Sequence, residues 1–161
     1  MGFIFDRMST LLAPAFVAIG LLVVIYSFSY MSDKNKEHPD APRRRFYVYF
    51  STFIGAMAGL AYSSTIVGHL VFFEITGVCS WGLISYYMTP TAKKAGMKAL
   101  IITHIGALGL YIGAAFLSAG TGTFALSAIS QLDSGMKTVV LLLILFAAWA
   151  KSAQFPLYMW L

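Results

Sequence analysis

An all-α, polytopic membrane protein with about five transmembrane helices is expected from the composition and from the lengths of the apolar runs. The chain is 59% hydrophobic and 11% charged, and its mean hydropathy of +0.78 is far too high for a soluble domain of 161 residues. Several apolar runs reach the roughly 20 residues that a helix needs to cross a bilayer core. We therefore expect residues 1–161 to form a single membrane module without a soluble catalytic domain.

The first two spans are separated by a hydrophilic segment. The first span is predicted at about residues 10–31, and Pro14 falls in its first turn, where a missing N–H matters least. Residues 32–45 are rich in charge and proline, which marks them as turn and coil. The second span is predicted at about residues 46–64.

Three further spans are predicted at about residues 66–87, 97–117 and 136–155. The last span is expected to be interrupted or to end near Pro156, because proline removes a backbone donor. A helix that breaks inside the membrane often marks a transport site, whereas one that ends at the cytoplasmic face has no such meaning. The sequence leaves these two alternatives open.

Pairs of glycines four residues apart occur in two of the predicted spans. Gly55 and Gly59 lie in the second span, and Gly109 and Gly113 lie in the fourth. Small residues at this spacing let membrane helices approach closely. We interpret both pairs as helix-packing faces without a further functional meaning.

The orientation is predicted from the distribution of positive charge. Eight Lys and Arg residues lie in or beside the segments 32–45 and 89–97, against two near the opposite ends of the spans. By the positive-inside rule, these two segments are cytoplasmic and the N-terminus is outside. The basic excess is then explained by membrane topology, and no nucleic-acid partner is expected.

Glu74 and Lys151 are the residues most indicative of function. Glu74 is the only acidic residue between Phe46 and Gln131, and Lys151 lies near the end of another apolar run. A charge in hydrocarbon costs several kcal/mol, so such residues usually face a partner or a polar path. Their depths, roughly 12 and 22 Å from the outer helix ends, permit pairing. The pattern indicates a proton or ion relay; a static interhelical salt bridge is the alternative.

Two histidines lie within predicted spans. His104 is placed about 10 Å from the cytoplasmic end of the fourth span, where it either contributes to the relay or makes a hydrogen bond between helices. His69 lies near the outer end of the third span, where we favour an interfacial position over an outer proton contact. His38 lies in a loop and needs no role.

Other chemistry finds little support in the residues. No phosphate-binding loop, paired carboxylate site, activated nucleophile or metal-ligand spacing is present. Cys79 is the single cysteine, so no disulfide framework exists. The two membrane histidines are predicted at different depths, which argues against haem. We therefore expect no cofactor and no metal, and an intramembrane enzyme is poorly supported.

Three segments carry a resemblance to a known family. Residues 69–87, HLVFFEITGVCSWGLISYY, resemble the glutamate-bearing helix of antiporter-like proton-pumping subunits, with Phe73 a mild departure from the family pattern and Ser80 a match. Residues 147–161, AAWAKSAQFPLYMWL, are similar to the lysine helix of that family just before its break. Residues 5–31 resemble the helix preceding its core. The family comprises subunit 5 of NADH dehydrogenase, Mrp-type cation/proton antiporters and membrane subunits of energy-converting hydrogenases.

The resemblance implies a role for each candidate residue. Glu74 and Lys151 would be partners in proton transfer, and His104 would contribute to a central polar axis. The implied partners are the other membrane subunits of a respiratory or hydrogenase-type complex. Whether the chain counts as part of an enzyme is left open, because it contains no redox or hydrolytic site.

The chain is much shorter than a full family member, which has about fourteen spans in two inverted repeats. We expect a split subunit in the cell membrane of a prokaryote, completed by a second polypeptide, because the chain begins with Met1 and lacks an organellar presequence. A truncated piece is the alternative origin. The alternative functions are a non-conducting structural or assembly subunit and, with little support, a separate small-molecule transporter.

Overall fold

The computed structural model describes residues 2–32 and 43–161, and it is almost entirely helical. Five long helices follow one another: α1 (Arg7–Tyr30), α2 (Arg43–Tyr62), α3 (Ile66–Ile84), α4 (Pro90–Thr121) and α5 (Ser134–Lys151). Two short 3₁₀ helices, Leu126–Gln131 and Leu157–Trp160, flank α5. The described residues contain no strand, which confirms the all-α class. The predicted loop at 32–45 and its His38 lie largely outside the described residues.

Four of the long helices, rather than five, meet the length and apolarity required of a membrane span in the described part of the chain. These are α1, α3, α4 and α5. The second predicted span does form a helix, but arginines occupy positions 43–45 in its first turn and polar residues recur along it. The all-α polytopic membrane class is thus confirmed, with four candidate spans among the described residues.

Capping residues move several helix ends away from the predicted limits. The Thr89 hydroxyl accepts a hydrogen bond from the backbone N–H of Ala92, and Pro90 occupies the first turn of α4. The segment predicted as a loop at 89–97 is therefore mostly helix, and α4 reaches 32 residues. At its other end, Gly122 takes a left-handed conformation with φ of 71° and ends the helix.

Consecutive helices pack side by side, as short connections require. The helix α1 contacts α2 and stays largely exposed, whereas α3, α4 and α5 enclose the core. Fully buried side chains of this core include Ile66, Leu117 and Val140. The N–H of Ile66 donates to the Phe124 carbonyl at 2.9 Å and joins the start of α3 to the segment after α4.

Glycines allow α4 and α5 to approach closely. A side chain at Gly109 would collide with the backbone carbonyl of Leu143, and Gly106 lies directly against Ala150. At Gly113 an added Cβ would lie 3.5 Å from Ile66 Cδ1. The predicted packing role also fits Gly59, which faces Phe72. At Gly55 the described residues of the other helices leave the space within 4 Å of an added Cβ open, so no packing contact is seen there.

The helix α5 ends beside the middle of α4 and not beside its end. Ala150 packs on Gly106, which is equally far from both ends of α4. Beyond Lys151 the chain turns, with Ala153 at a φ of 51°. It then forms the final 3₁₀ helix, whose Trp160 Nε1 donates to the Ala150 carbonyl at 3.1 Å. The structure therefore shows α5 ending within the bundle, beside the middle of α4.

Candidate functional site

Glu74 on α3 contacts His104 on α4. The Oε2 atom of Glu74 lies 3.0 Å from Nδ1 of His104, within hydrogen-bond distance. The glutamate side chain is 22% exposed and the histidine 57% exposed. They share a groove of about 410 Å³ with apolar residues of the same two helices, here called the Glu74 groove; the other lining residues are Val78, Leu100, Ile101, Ile105 and Leu108.

Lys151 is the last residue of α5 and reaches back along α3. Its Nζ lies 3.5 Å from the Phe73 carbonyl oxygen, to which it donates. The same atom lies 4.8 Å from the centroid of the Phe73 ring, a cation–π distance. Side chains of a helix incline towards its N-terminus, so Lys151 rises from the end of α5 into the bundle.

The Glu74 side chain and the contact that Lys151 of α5 makes with Phe73 lie on different faces of α3. Successive residues of a helix are about 100° apart, so the Lys151 contact with Phe73 is displaced around α3 from the Glu74 side chain. Among the described residues, no ion pair joins Glu74 to Lys151 within 4.0 Å. The Oε1 atom of Glu74 is buried and has no hydrogen-bond partner within the described part of the chain. The structure thus joins Glu74 to His104 and places Lys151 nearby without a direct contact.

Gly77 of α3 lies between Lys151 of α5 and the polar residues of α4. A Cβ added to Gly77 would lie 3.9 Å from Lys151 Nζ and 3.8 Å from Thr103 Oγ1. Thr103 is buried and precedes His104 on α4, and its hydroxyl donates to the Ala99 carbonyl at 2.9 Å. Gly77 therefore keeps open the space between the lysine of α5 and the polar residues of α4. In the sequence, the only sign of this role of Gly77 is its position three residues after Glu74.

Lys151 also lines a cavity of about 430 Å³ between α2, α3 and α5, here called the lysine cavity. Its polar lining residues are His69, Thr76, Lys151 and Ser152, and the others are apolar. The Nδ1 atom of His69 lies 3.2 Å from the Thr65 carbonyl oxygen. His69 thus lines the same cavity as Lys151, a position that the favoured interfacial interpretation did not include. The spacing of His69, Phe73 and Thr76 places them on one face of α3.

No group of three or more His, Cys, Asp and Glu side chains suited to a metal ion occurs in the described ranges. Cys79 is free and buried.

Aromatic and basic residues gather where α2 begins and α3 ends, beside the segments predicted to be cytoplasmic. Phe46 meets Tyr86 edge-on with a centroid distance of 6.0 Å, and the Arg45 guanidinium lies 5.6 Å from the Tyr49 ring. Burial raises the pKa of the Tyr86 phenol, and the nearby charge of Arg43 opposes that shift. Such a cluster is typical of a membrane interface.

Two family models match this chain. Residues 63–161 match the model described as "NADH:quinone oxidoreductase/Mrp antiporter, TM". Residues 1–47 match the N-terminus of chain 5 of NADH-ubiquinone oxidoreductase (complex I). The first match includes α3, α4 and α5, and thus Glu74, His104 and Lys151.

Curated proteins and a solved structure are also similar. The chloroplast NAD(P)H-quinone oxidoreductase subunit 5 of Cichorium intybus is 34% identical over 171 residues, covering 99% of this chain and 22% of that protein. The NAD(P)H-quinone oxidoreductase chain 5 of Synechocystis sp. is 33% identical over 172 residues, covering 100% and 24%. A chain of the membrane-bound sulfane sulfur reductase, an archaeal respiratory membrane complex, shares the fold with a TM-score of 0.83 at 22% identity, over 98% of this chain and 32% of that one. The present chain thus spans about a quarter of the length of these curated relatives.

Proposed function

Because this chain belongs to the membrane-subunit family of NADH:quinone oxidoreductases and Mrp antiporters, we propose that it is part of an ion-translocating, antiporter-like subunit. The complex would be of the respiratory or hydrogenase type, and the ion H⁺ or Na⁺. The observation that carries the proposal is the position of Lys151, at the end of α5 inside the bundle and in contact with the carbonyl of Phe73, the residue before Glu74. Interrupted helices that carry a charge are a recurrent feature of ion-transport sites.

The proposed mechanism moves Lys151 relative to Glu74. In the described conformation, Glu74 holds His104 through Oε2, and its buried Oε1 is without a hydrogen-bond partner. Passing beside Gly77, the Lys151 ammonium can approach Oε1 and form a charged pair. When the two groups separate, the ammonium is left in a largely apolar cavity, which favours release of its proton. Alternation between these states would transfer one proton per cycle.

The chain is proposed to represent part of the first half of such a subunit, within a single membrane module. The remaining helices and the redox centres of the complex would belong to other segments or subunits. We further propose that the complex lies in the cell membrane of a prokaryote, with the segments 32–45 and 89–97 on the cytoplasmic side. The positive charge of those segments supports this orientation.

Two substitutions test the proposed mechanism in the assembled complex reconstituted in proteoliposomes. Glu74→Gln and Lys151→Ala are expected to abolish ion translocation while the complex still assembles, as followed by native gel electrophoresis. Lys137→Ala, on the same helix α5 but near its other end, is the matched control and should translocate normally. Normal translocation in both site variants would reject the relay.

A non-conducting structural or assembly role is the second candidate. It is favoured by the direct contact of Glu74 with His104 across α3 and α4, which is what a fixed interhelical link requires. This role predicts that Glu74→Gln and Lys151→Ala impair assembly of the complex. Retained assembly with lost translocation excludes it.

A further inference from the structure

His69 and Lys151 share the lysine cavity but come from different helices. His69 lies one turn before Phe73 on α3, which places it about 6 Å nearer to the outer end than the carbonyl that Lys151 contacts. Its half-buried side chain lines the cavity together with Lys151. The cavity therefore connects the lysine with an imidazole on its outer side.

The hydrogen bond of His69 fixes which ring nitrogen is available. A carbonyl oxygen only accepts hydrogen bonds, so the Nδ1 atom, 3.2 Å from the Thr65 carbonyl oxygen, is the protonated nitrogen. In the neutral ring, Nε2 is then an acceptor. The contact with Thr65 also orients the ring and stabilises the imidazolium when Nε2 becomes protonated.

The volume of the lysine cavity is sufficient for water. It measures about 430 Å³, and one water occupies about 30 Å³ in the liquid. Lys151, His69 and Ser152 supply the polar partners that a bound water needs, whereas Thr76 is fully buried and its hydroxyl donates to the Phe73 carbonyl. Within the described residues, Lys151 is the charged group and His69 the other titratable group of this lining, since α2 and α4 contribute only Met57, Leu60 and Leu110.

We propose that His69 exchanges protons with Lys151 through water in the lysine cavity and forms the outer arm of the translocation route. This inference rests on the proposed function. In the transfer, an N–H bond of the Lys151 ammonium breaks, a water takes that proton, and the same water gives one of its own protons to Nε2. The imidazolium then returns the Nε2 proton to water at the outer end, and the water and His69 end unchanged.

The test compares His69→Ala with His104→Ala in the reconstituted complex. The rate of proton translocation in His69→Ala is expected to fall by up to about 10²-fold, in line with loss of a positioned proton-transfer group. Added imidazole should restore part of it. Imidazole should not act on His104→Ala, because His104 lies in the Glu74 groove and not in the lysine cavity. A lower rate that imidazole does not raise would indicate a structural role for His69 and overturn the proposal.

A second variant tests the water route through the lysine cavity without changing His69. Ala148→Phe fills the lysine cavity, which Ala148 lines, and should also slow translocation while leaving His69 in place. Normal rates in Ala148→Phe and His69→Ala, combined with a lost rate in Lys151→Ala, overturn the role of His69 and leave the relay intact. Normal rates in all three variants, Lys151→Ala included, reject the relay itself.

Discussion

Oε2 of Glu74 lies 3.0 Å from Nδ1 of His104, so the acid of α3 is held by α4 in the described conformation. Its second oxygen is buried and has no hydrogen-bond partner among the described residues. A carboxylate with one oxygen occupied and one available can exchange partners without leaving its place. In the proposed mechanism, His104 and Lys151 therefore contact different oxygens of the same carboxylate.

The variant His104→Gln tests whether His104 influences Glu74. The amide of the introduced glutamine can still donate a hydrogen bond to Glu74 but cannot become positively charged. We expect reduced but measurable ion translocation, because the charge-assisted form of the contact is lost while Lys151 remains. The carboxyl band of Glu74, isolated by infrared difference spectroscopy against Glu74→Gln, should shift. An unchanged band together with an unchanged rate would show that His104 has no influence on Glu74.

Gly77→Ala tests the passage between Lys151 and Glu74. The added Cβ meets Lys151 Nζ and Thr103 Oγ1 only at ordinary contact distances of 3.9 and 3.8 Å, so the fold should be retained. The methyl group nevertheless occupies the space through which Lys151 moves, and translocation should slow severalfold. The control is Gly55→Ala, which adds the same methyl group to α2 at a position that no described residue of another helix approaches within 4 Å. Equal rates in the two variants would exclude movement past Gly77.

The sequence predicted the elements and the charged residues of the site better than their mutual placement. Solitary charges in apolar runs drew attention to Glu74 and Lys151, and the lengths of the apolar runs located all five helices. The depth of α5 relative to α3 could not be obtained from the lengths of the apolar runs. Val140 and Ile66 both lie against Gly113, so about six residues, or 9 Å, of α5 extend beyond the start of α3. This offset brings Lys151 level with Gly77, and it is set by tertiary packing.

Which neighbouring helix each face of α3 contacts could not be predicted from single residues either. His69 was expected at the interface because it lies near a helix end. The structure places it on the face that carries Phe73 and Thr76, towards the lysine cavity. The start of α4 was missed for a different reason, since Thr89 and Pro90 form a helix start within a segment whose lysines indicated a loop.

Gly109→Ala is expected to destabilise the bundle. An added side chain would collide with the Leu143 carbonyl, which belongs to the backbone of α5 and cannot move without displacing that helix. Overpacking of this kind costs about 1–3 kcal/mol, and the complex should unfold at a lower temperature or detergent concentration. Gly55→Ala again serves as the control. The packing interpretation of Gly109 fails if both variants have the same thermal stability by circular dichroism.

Labelling of introduced cysteines tests the orientation. Cys79, the single cysteine, is buried and is therefore not expected to react with a maleimide reagent. Lys94→Cys and Ser130→Cys can be introduced singly without removing it. Both positions are exposed, and they lie at opposite ends of α4. In intact cells, a membrane-impermeant maleimide should label Ser130→Cys, whereas Lys94→Cys should react only after the membrane is opened. The reverse pattern would place the basic segments outside the cell, and labelling of both positions in intact cells would contradict a membrane-spanning α4.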